Sequence, residues 1–452
     1  MVATIMTGTL LNPLNSSMIS VALLGAASDL HVDIPTGTWL VSSFYLAGAA
    51  GMPLMGRLAD LFGPRRTFAA GLGLVCVAST LAGLAPTFGW LLVWRVVQGL
   101  GSAAGFPAGL AVLRAHSPGP RPPVAALGAL SVANNLSAAL GPVIGGLVVT
   151  LAGWPGIFWI NLPIALTGIL LTWRCVPPDP PPTAQQRLTL TRVLRQLDLP
   201  GVALFSVAIV SLLAFLLSLP AGAGPNWLLL GCAAICGSVL PFREASHPSP
   251  FLDVRFLGRN PRLLGVYAQF AAVSLVFYAA FFGLPLWLQQ TRHFEASLVG
   301  LVVLPISGVG VLLTPVAARL ISRRGLRPTL LIGAVSLLVG VLFMLTFDAT
   351  TAILTMLAMT AVIGIPSAFN NLGLQAAMYQ FAPAELIGTA SGQFQTFRYV
   401  GAILCTALLG AVFAGTATSE GLHVLGAILA PICLLLIAAS LTLDGRKSPA
   451  AD

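Results

Sequence analysis

The chain has 452 residues, 57% of them hydrophobic and only 8% charged, with mean hydropathy +0.94. That composition excludes a soluble globular domain, because most of the chain needs an apolar solvent. The 22 basic against 13 acidic residues, net charge +9, would suit a nucleic-acid footprint in a soluble protein, but their positions along the chain exclude it.

Spanning a hydrocarbon layer of about 30 Å takes roughly 20 apolar residues. Such runs recur near 3–27, 38–56, 67–86, 88–113, 124–150 and 155–175, separated by short polar connections. The first run lacks the basic leader of a cleaved signal and reads as a permanent helix. The Pro-rich, Arg-bearing stretch from Pro177 to Asp198 is a linker, with an amphipathic turn expected near Leu190 to Leu197. Two helices follow near 200–219 and 226–242, then a second basic connection through Arg262, then six runs near 263–290, 298–318, 328–347, 351–378, 387–414 and 421–443. The expected fold is therefore an all-α polytopic membrane protein of fourteen spans. Residues 1–176 form one six-helix half, 177–262 the linkers and an inserted pair, and 263–452 a second six-helix half.

Charge placement supplies an orientation. With Met1 inside, the interior connections carry Arg57, Arg65, Arg66, Arg114, Arg174, Arg243, Arg262, Arg319, Arg323 and Arg324 among others, while Arg292 alone falls outside. Asp29, Asp33, Glu295, Asp348 and Glu420 lie on the outer side. The positive-inside rule then puts both termini in the cytoplasm of a plasma (inner) membrane protein. The six cysteines lie in or beside apolar runs, which argues against a disulfide framework.

An internal repeat supports the count of spans. Gly56-Arg57-Leu58-Ala59-Asp60-Leu61-Phe62-Gly63 echoes Ala318 to Gly325, a spacing of 262 residues between Gly63 and Gly325. Aligning Gly128 with Gly392 and Gly146 with Gly410 gives 264. Equal spacings at separate places indicate two parallel copies with an even number of helices between them.

Several motifs along these helices resemble the major facilitator superfamily, and within it the fourteen-helix drug:proton antiporter branch. Gly56 to Asp60 with Gly63, Arg65 and Arg66 is similar to the signature between helices two and three. Arg95, Gln98, Gly99 and Gly101 resemble the helix-four motif, whose arginine the family ties to proton coupling. Gly141-Pro142 with Gly145-Gly146 is similar to the helix-five motif of exporters, and Phe158 to Pro163 resembles the entry to helix six. The resemblance implies a secondary transporter that exports amphipathic drugs or natural products by alternating access, as proton antiport. The alternative is a dedicated exporter of an acidic metabolite, siderophore or lipid, coupled without an intramembrane carboxylate.

Helix one departs from the family pattern. Where the family has Asp, and Thr two residues later, before Val-Ala-Leu-Pro, this chain has Asn15, Ser17 and Val21 to Leu24. No acidic residue falls inside an apolar run, so proton handling would fall to acids near the faces, such as Asp29 or Asp60. Arg398, in a glycine-bearing helix, is the second intramembrane charge; it suits a gating role, or attraction of an acidic substrate. The expected coupling and gating set is Arg57, Asp60, Arg66, Arg95, Gly141, Pro142 and Arg398. The polar and aromatic groups expected to line a cavity are Asn12, Asn15, Tyr45, Gln98, Asn134, Asn135, Gln269, Tyr278, Asn370, Asn371 and Arg398.

No enzyme is expected. The five histidines sit in connections or at helix ends without metal-ligand spacing, and a phosphate-gripping loop is missing, so neither metal, cofactor nor ATP is called for. The expected partners are the lipid bilayer, a small-molecule substrate and protons, with no nucleic acid and a monomeric chain.

Overall fold

The computed structural model describes residues 2–115, 124–179, 198–218, 226–247, 250, 254–382, 387–413 and 416–442, and every described element is helical. Most of the linker, with the turn expected near Leu190 to Leu197, lies outside the described residues.

The first group of helices is α1 (Val2–Asp29), α2 (Ile34–Gly37), α3 (Trp39–Phe62), α4 (Pro64–Gly83), α5 (Phe88–Ala103), α6 (Gly105–Ala115), α7 (Val124–Ala152), α8 (Gly156–Trp159) and α9 (Asn161–Cys175). An inserted pair follows, α10 (Leu199–Ser218) and α11 (Trp227–Ser246), with the short α12 (Val254–Arg259) behind it. The last group is α13 (Pro261–Gln290), α14 (Ala296–Arg324), α15 (Leu326–Met344), α16 (Ile353–Phe381), α17 (Ile387–Val412) and α18 (Ser419–Thr442). Twelve spans among the described residues are long and apolar enough to cross a bilayer, one of them running through α5 and α6. With the long α3 and α7, which fall outside that criterion, the described helices give twelve to fourteen spans.

Large apolar side chains point outward all round the bundle, including Leu228, Phe242, Leu312 and Leu354, each at least 75% exposed. In water these would be a liability; in lipid they are the solvated surface, while each helix satisfies its own backbone.

The structure corrects two boundaries. The second helix does not stop at residue 56 but runs to Phe62, so Gly56 to Phe62 forms the last turns of α3 instead of a loop. Gly63 ends it, with φ +97° and its N–H bonded to the Ala59 carbonyl at 3.0 Å. Helix α14 runs six residues past its expected end for the same reason, stopping at Gly325 with φ +84°. Both copies of the repeat thus end on a glycine in the left-handed region, where a Cβ is strained.

The span expected at 88–113 is two helices meeting at Ala104, where Gly105 brings the backbone against the Gly8 carbonyl of α1. The span at 155–175 is likewise α8 and α9. Pro163 has no N–H to give the preceding turn, and nearby the Asn161 side-chain amide donates to the carbonyls of Ile157 (3.2 Å) and Phe158 (3.0 Å).

Asp179 fixes the start of α4. Its two carboxylate oxygens accept from the backbone N–H groups of Arg65 and Arg66, each at 3.0 Å, at the positive end of the helix dipole. The Arg65 guanidinium donates to the Trp173 carbonyl at 2.8 Å and lies 4.6 Å from the Trp173 ring centroid. A Cβ on Gly63 would strike the Asp179 carboxylate.

The inserted helices pack on each other, and α10 also lies against α3 and α17. Arg243 of α11 joins Asp198 at the start of α10 (2.6 Å) and Glu244 (2.9 Å), so a charge cluster pins the pair together.

Gly63→Ala is expected to cost about 1–3 kcal/mol, from positive φ and the collision with Asp179 together. Gly325→Ala meets open space and should cost about 1 kcal/mol, from φ alone. Thermal unfolding of the two purified variants in detergent checks the order; equal losses would show that the Asp179 contact does not matter.

Candidate functional site

Arg95 of α5 is 1% exposed, and the first group of helices is tied together around it. A guanidinium at the centre of a membrane helix costs about 2.5–3.5 kcal/mol on insertion scales unless polar groups surround it. Here its Nε donates to the Leu40 carbonyl at 3.1 Å and one Nη to Gln98 Oε1 at 2.6 Å. The rings of Phe44 and Phe158 lie at 4.4 and 5.7 Å. The Gln98 amide passes the connection on, donating to Ser79 Oγ (2.8 Å) and to Asn15 Oδ1 (3.2 Å). Asn15 Oδ1 also accepts from Asn161 at 2.7 Å, while its own amide donates to the Leu11 carbonyl at 2.9 Å. Five helices, α1, α3, α4, α5 and α9, meet in this network. Among the described residues it contains no carboxylate, and the helix-one position that the family fills with an acid is the amide at its centre.

The first and last groups meet along two seams, α7 against α14 and α3 against α17. Gly141 and Gly145 of α7 seat Ser17 and Met18 of α1, and a Cβ on Gly146 would strike the Ala296 carbonyl. Reciprocally, Gly300 of α14 lies on the backbone of Pro142. On the other seam the hydroxyls of Ser42 and Thr406 share a hydrogen bond of 2.5 Å, and Gly410 rests on Pro35. Gly146 on Ala296, Ser42 with Thr406 and Gly410 on Pro35 lie toward the ends of the bundle marked by Asp29, Ala152 and Ala296, hereafter the Asp29 face, while Gly141 on Ser17 lies near mid-depth.

A cavity lies at mid-depth of the bundle. Helices α1, α7, α13, α14, α16 and α17 line it, and it offers about 100 Å³ to the centres of water molecules. Its wall is Phe270, Phe277, Tyr278 and Phe281 of α13, faced by Ser16, Ser17, Ser307, Ser367, Asn371 and Arg398. Arg398 lies roughly 21 Å from the Val412 end of α17 at about 1.5 Å per residue. Its guanidinium donates to Tyr278 Oη at 2.8 Å. Above the cavity, toward the Asp29 face, Tyr45 packs on Tyr278 and Tyr399 with centroids 5.4 Å apart in each case.

The expected site residues distribute unevenly. Arg398, Tyr278 and Asn371 come together in the cavity wall, and Tyr45 packs directly above. Asn12 bridges instead, donating to Ser102 Oγ and accepting from Tyr399 Oη, each at 3.3 Å. Asn15 and Gln98 are sealed in the Arg95 network, and Asn370 is buried against Gly333 of α15. Gln269 is half-buried on α13 and is not among the lining residues. Arg57 reaches the Pro250 carbonyl at 3.2 Å, and Arg66 is held through its backbone by Asp179. The side chains of Asp60, Asn134 and Asn135 lie outside the described residues. Sequence reasoning missed Asn161, Ser79 and Asp179 as polar partners, and the serines of the cavity. The α13 stripe at 270, 273, 274, 277, 278 and 281 had a signal in its helical spacing.

An all-helical bundle whose polar residues turn inward to a mid-depth cavity defines a polytopic transporter. Residues 5–406 match the family described as the Major Facilitator Superfamily, and the chain belongs to that family; it is a transporter and not an enzyme. It is 37% identical over 422 residues to the uncharacterized MFS-type transporter YwoD of Bacillus subtilis, covering 93% of this chain and 92% of that one. The tetracenomycin C resistance and export protein of Streptomyces glaucescens is 29% identical, with 90% and 74% covered. The multidrug resistance protein Stp of Mycobacterium tuberculosis is 28% identical, with 89% and 73% covered. These relatives fit the drug:proton antiporter branch of the family. Among solved structures, a peptide transporter POT in complex with alafosfalin superposes with TM-score 0.72 at 14% identity, covering 99% and 95% of the chains. At that identity the likeness concerns the fold.

Gln98→Leu would leave an Arg95 nitrogen without its partner in the interior and remove one of the two donors to Asn15 Oδ1. It is expected to cost about 3 kcal/mol of stability. Thermal unfolding of the purified variant measures this, and an unchanged midpoint would show that the network does not hold the helices.

Proposed function

We propose that this protein exports amphipathic drugs or natural products by alternating access, in exchange for protons. The observation that carries the reading is the mid-depth cavity lined from both groups of helices. The names of the relatives, a resistance and export protein and a multidrug resistance protein among them, supply the direction and the substrate class. In this reading 1–176 and 263–452 are the two moving halves, and 177–262 carries the inserted pair. The basic connections lie in the cytoplasm with both termini, and the Asp29 face is external. The chain works as a monomer in the plasma membrane. Protons act at acids near the faces: Asp29, whose carboxylate accepts from Trp154 Nε1 at 2.9 Å, is one such group.

Inverted vesicles containing the protein are expected to accumulate amphipathic fluorescent compounds when acidified inside, and a protonophore should abolish the accumulation. Uptake indifferent to the protonophore would remove the proton and leave export; no uptake of any compound would overturn the reading. Gly146→Ala, which forces α7 off the Ala296 carbonyl at a cost of about 1–3 kcal/mol, should lower transport by roughly tenfold. It should also raise labelling of a cysteine placed at Ser42 in a cysteine-free background. Unchanged labelling would show that this contact does not seal the external face.

A further inference from the structure

We propose that the cavity selects aromatic anions, with Arg398 as the group that recognises their negative charge. This inference rests on the export reading and adds the chemical class of what is exported.

The two intramembrane arginines differ in surroundings. Arg95 is sealed, at 1% exposed, among the Leu40 carbonyl, Gln98 and two phenyl rings, and no ligand reaches it without dismantling five helices. Arg398 is only half-buried and lines the cavity. Its one described hydrogen bond goes to a neutral phenol, Tyr278, and uses one of the five N–H donors of a guanidinium. Among the described residues no carboxylate lines this cavity. The site therefore presents a fixed positive charge with unspent donors at membrane depth, where a lone charge is costly and an anion would relieve it.

The remaining wall sets the shape of the guest. Phe277, Tyr278 and Phe281 of α13 form one aromatic cluster, Phe270 lies two turns away beyond Val273 and Ser274, and the serine hydroxyls opposite supply small polar contacts. A flat aromatic body against the rings, with a carboxylate, sulfonate or phenolate directed at Arg398, satisfies both features. A cation would meet Arg398 with nothing to offset the repulsion, and a neutral analogue would leave the charge unanswered.

Anilinonaphthalene sulfonate and its uncharged parent phenylnaphthylamine form a matched pair for the test, with ethidium as the cation. In proteoliposomes containing the full chain, the wild type is expected to transport the sulfonate at a higher kcat/KM than the parent and to leave ethidium behind. Arg398→Gln should reduce the sulfonate-to-parent ratio by about tenfold or more, the size of one charge-assisted hydrogen bond, and Arg398→Lys should retain part of it. Because the readout is a ratio, reduced expression of a variant cancels. Transport of ethidium as well as of the sulfonate, or equal losses for sulfonate and parent in Arg398→Gln, would overturn the charge inference while export stands. Should the wild type transport none of the three, export fails, and equilibrium binding followed by dye fluorescence on the purified protein decides the charge class alone. Tighter binding of the sulfonate that is lost in Arg398→Gln would sustain it, and equal binding of sulfonate and parent would end it.

Discussion

A guanidinium buried in hydrocarbon must find partners inside the protein, and the Arg95 cluster is how the first group of helices answers that demand. Each member is the remaining partner of another: Gln98 turns one side to Arg95 and the other to Ser79 and Asn15, and Asn15 gathers both Gln98 and Asn161. Loss of Gln98 strands an Arg95 nitrogen, and the other members share bonds among them, so five helices are held in register by a few short contacts. Asn161 at the start of α9 belongs to the same network, reaching Asn15 while its amide also donates to the Ile157 and Phe158 carbonyls of α8.

A rigid first group makes the seams, and not its interior, the place where the structure can change. The seams are built differently from the network. Glycine against backbone carbonyl on α7 and α14, and a single pair of hydroxyls between α3 and α17, give close contact through van der Waals packing. Helix α10 covers the second seam by touching both α3 and α17, while the charge cluster of Arg243, Asp198 and Glu244 holds it to α11. The inserted pair therefore rides on the boundary between the two groups instead of standing apart from it.

Helix number, connection chemistry and the repeat were legible in the sequence because bilayer thickness sets span length and because glycine marks a left-handed stop. Gly63 and Gly325 share a spacing in sequence and a conformation in space. The ends of α3 and α14 were misplaced because Arg57, Asp60, Arg319 and Arg323 look like loop residues, although helices pass readily into the headgroup region with charged turns. Arg95, Arg398, Tyr278 and Asn371 were legible as inward-facing groups because polarity in an apolar run is costly. Which of them face a cavity was not. Asn370 and Asn371 are adjacent in sequence and identical in type, yet a helical step of about 100° puts one against Gly333 and the other in the cavity wall. Asp179 gave no signal, since its role depends on chain folding back across more than a hundred residues.

The contrast between the network and the seams bears on energy. Dismantling the Arg95 cluster would expose several buried polar groups at about 1–3 kcal/mol each, with more for the charge. Parting the seams forfeits dispersion contacts of about 0.1–0.2 kcal/mol per atom pair and two hydrogen bonds, Ser42 with Thr406 and Tyr399 with Asn12, without stranding a buried charge. In the export reading proposed above, a membrane gradient would work on the seams while the helices around Arg95 move as a body. A charged guest at Arg398, beside both seams, would sit where its binding energy can bias that motion.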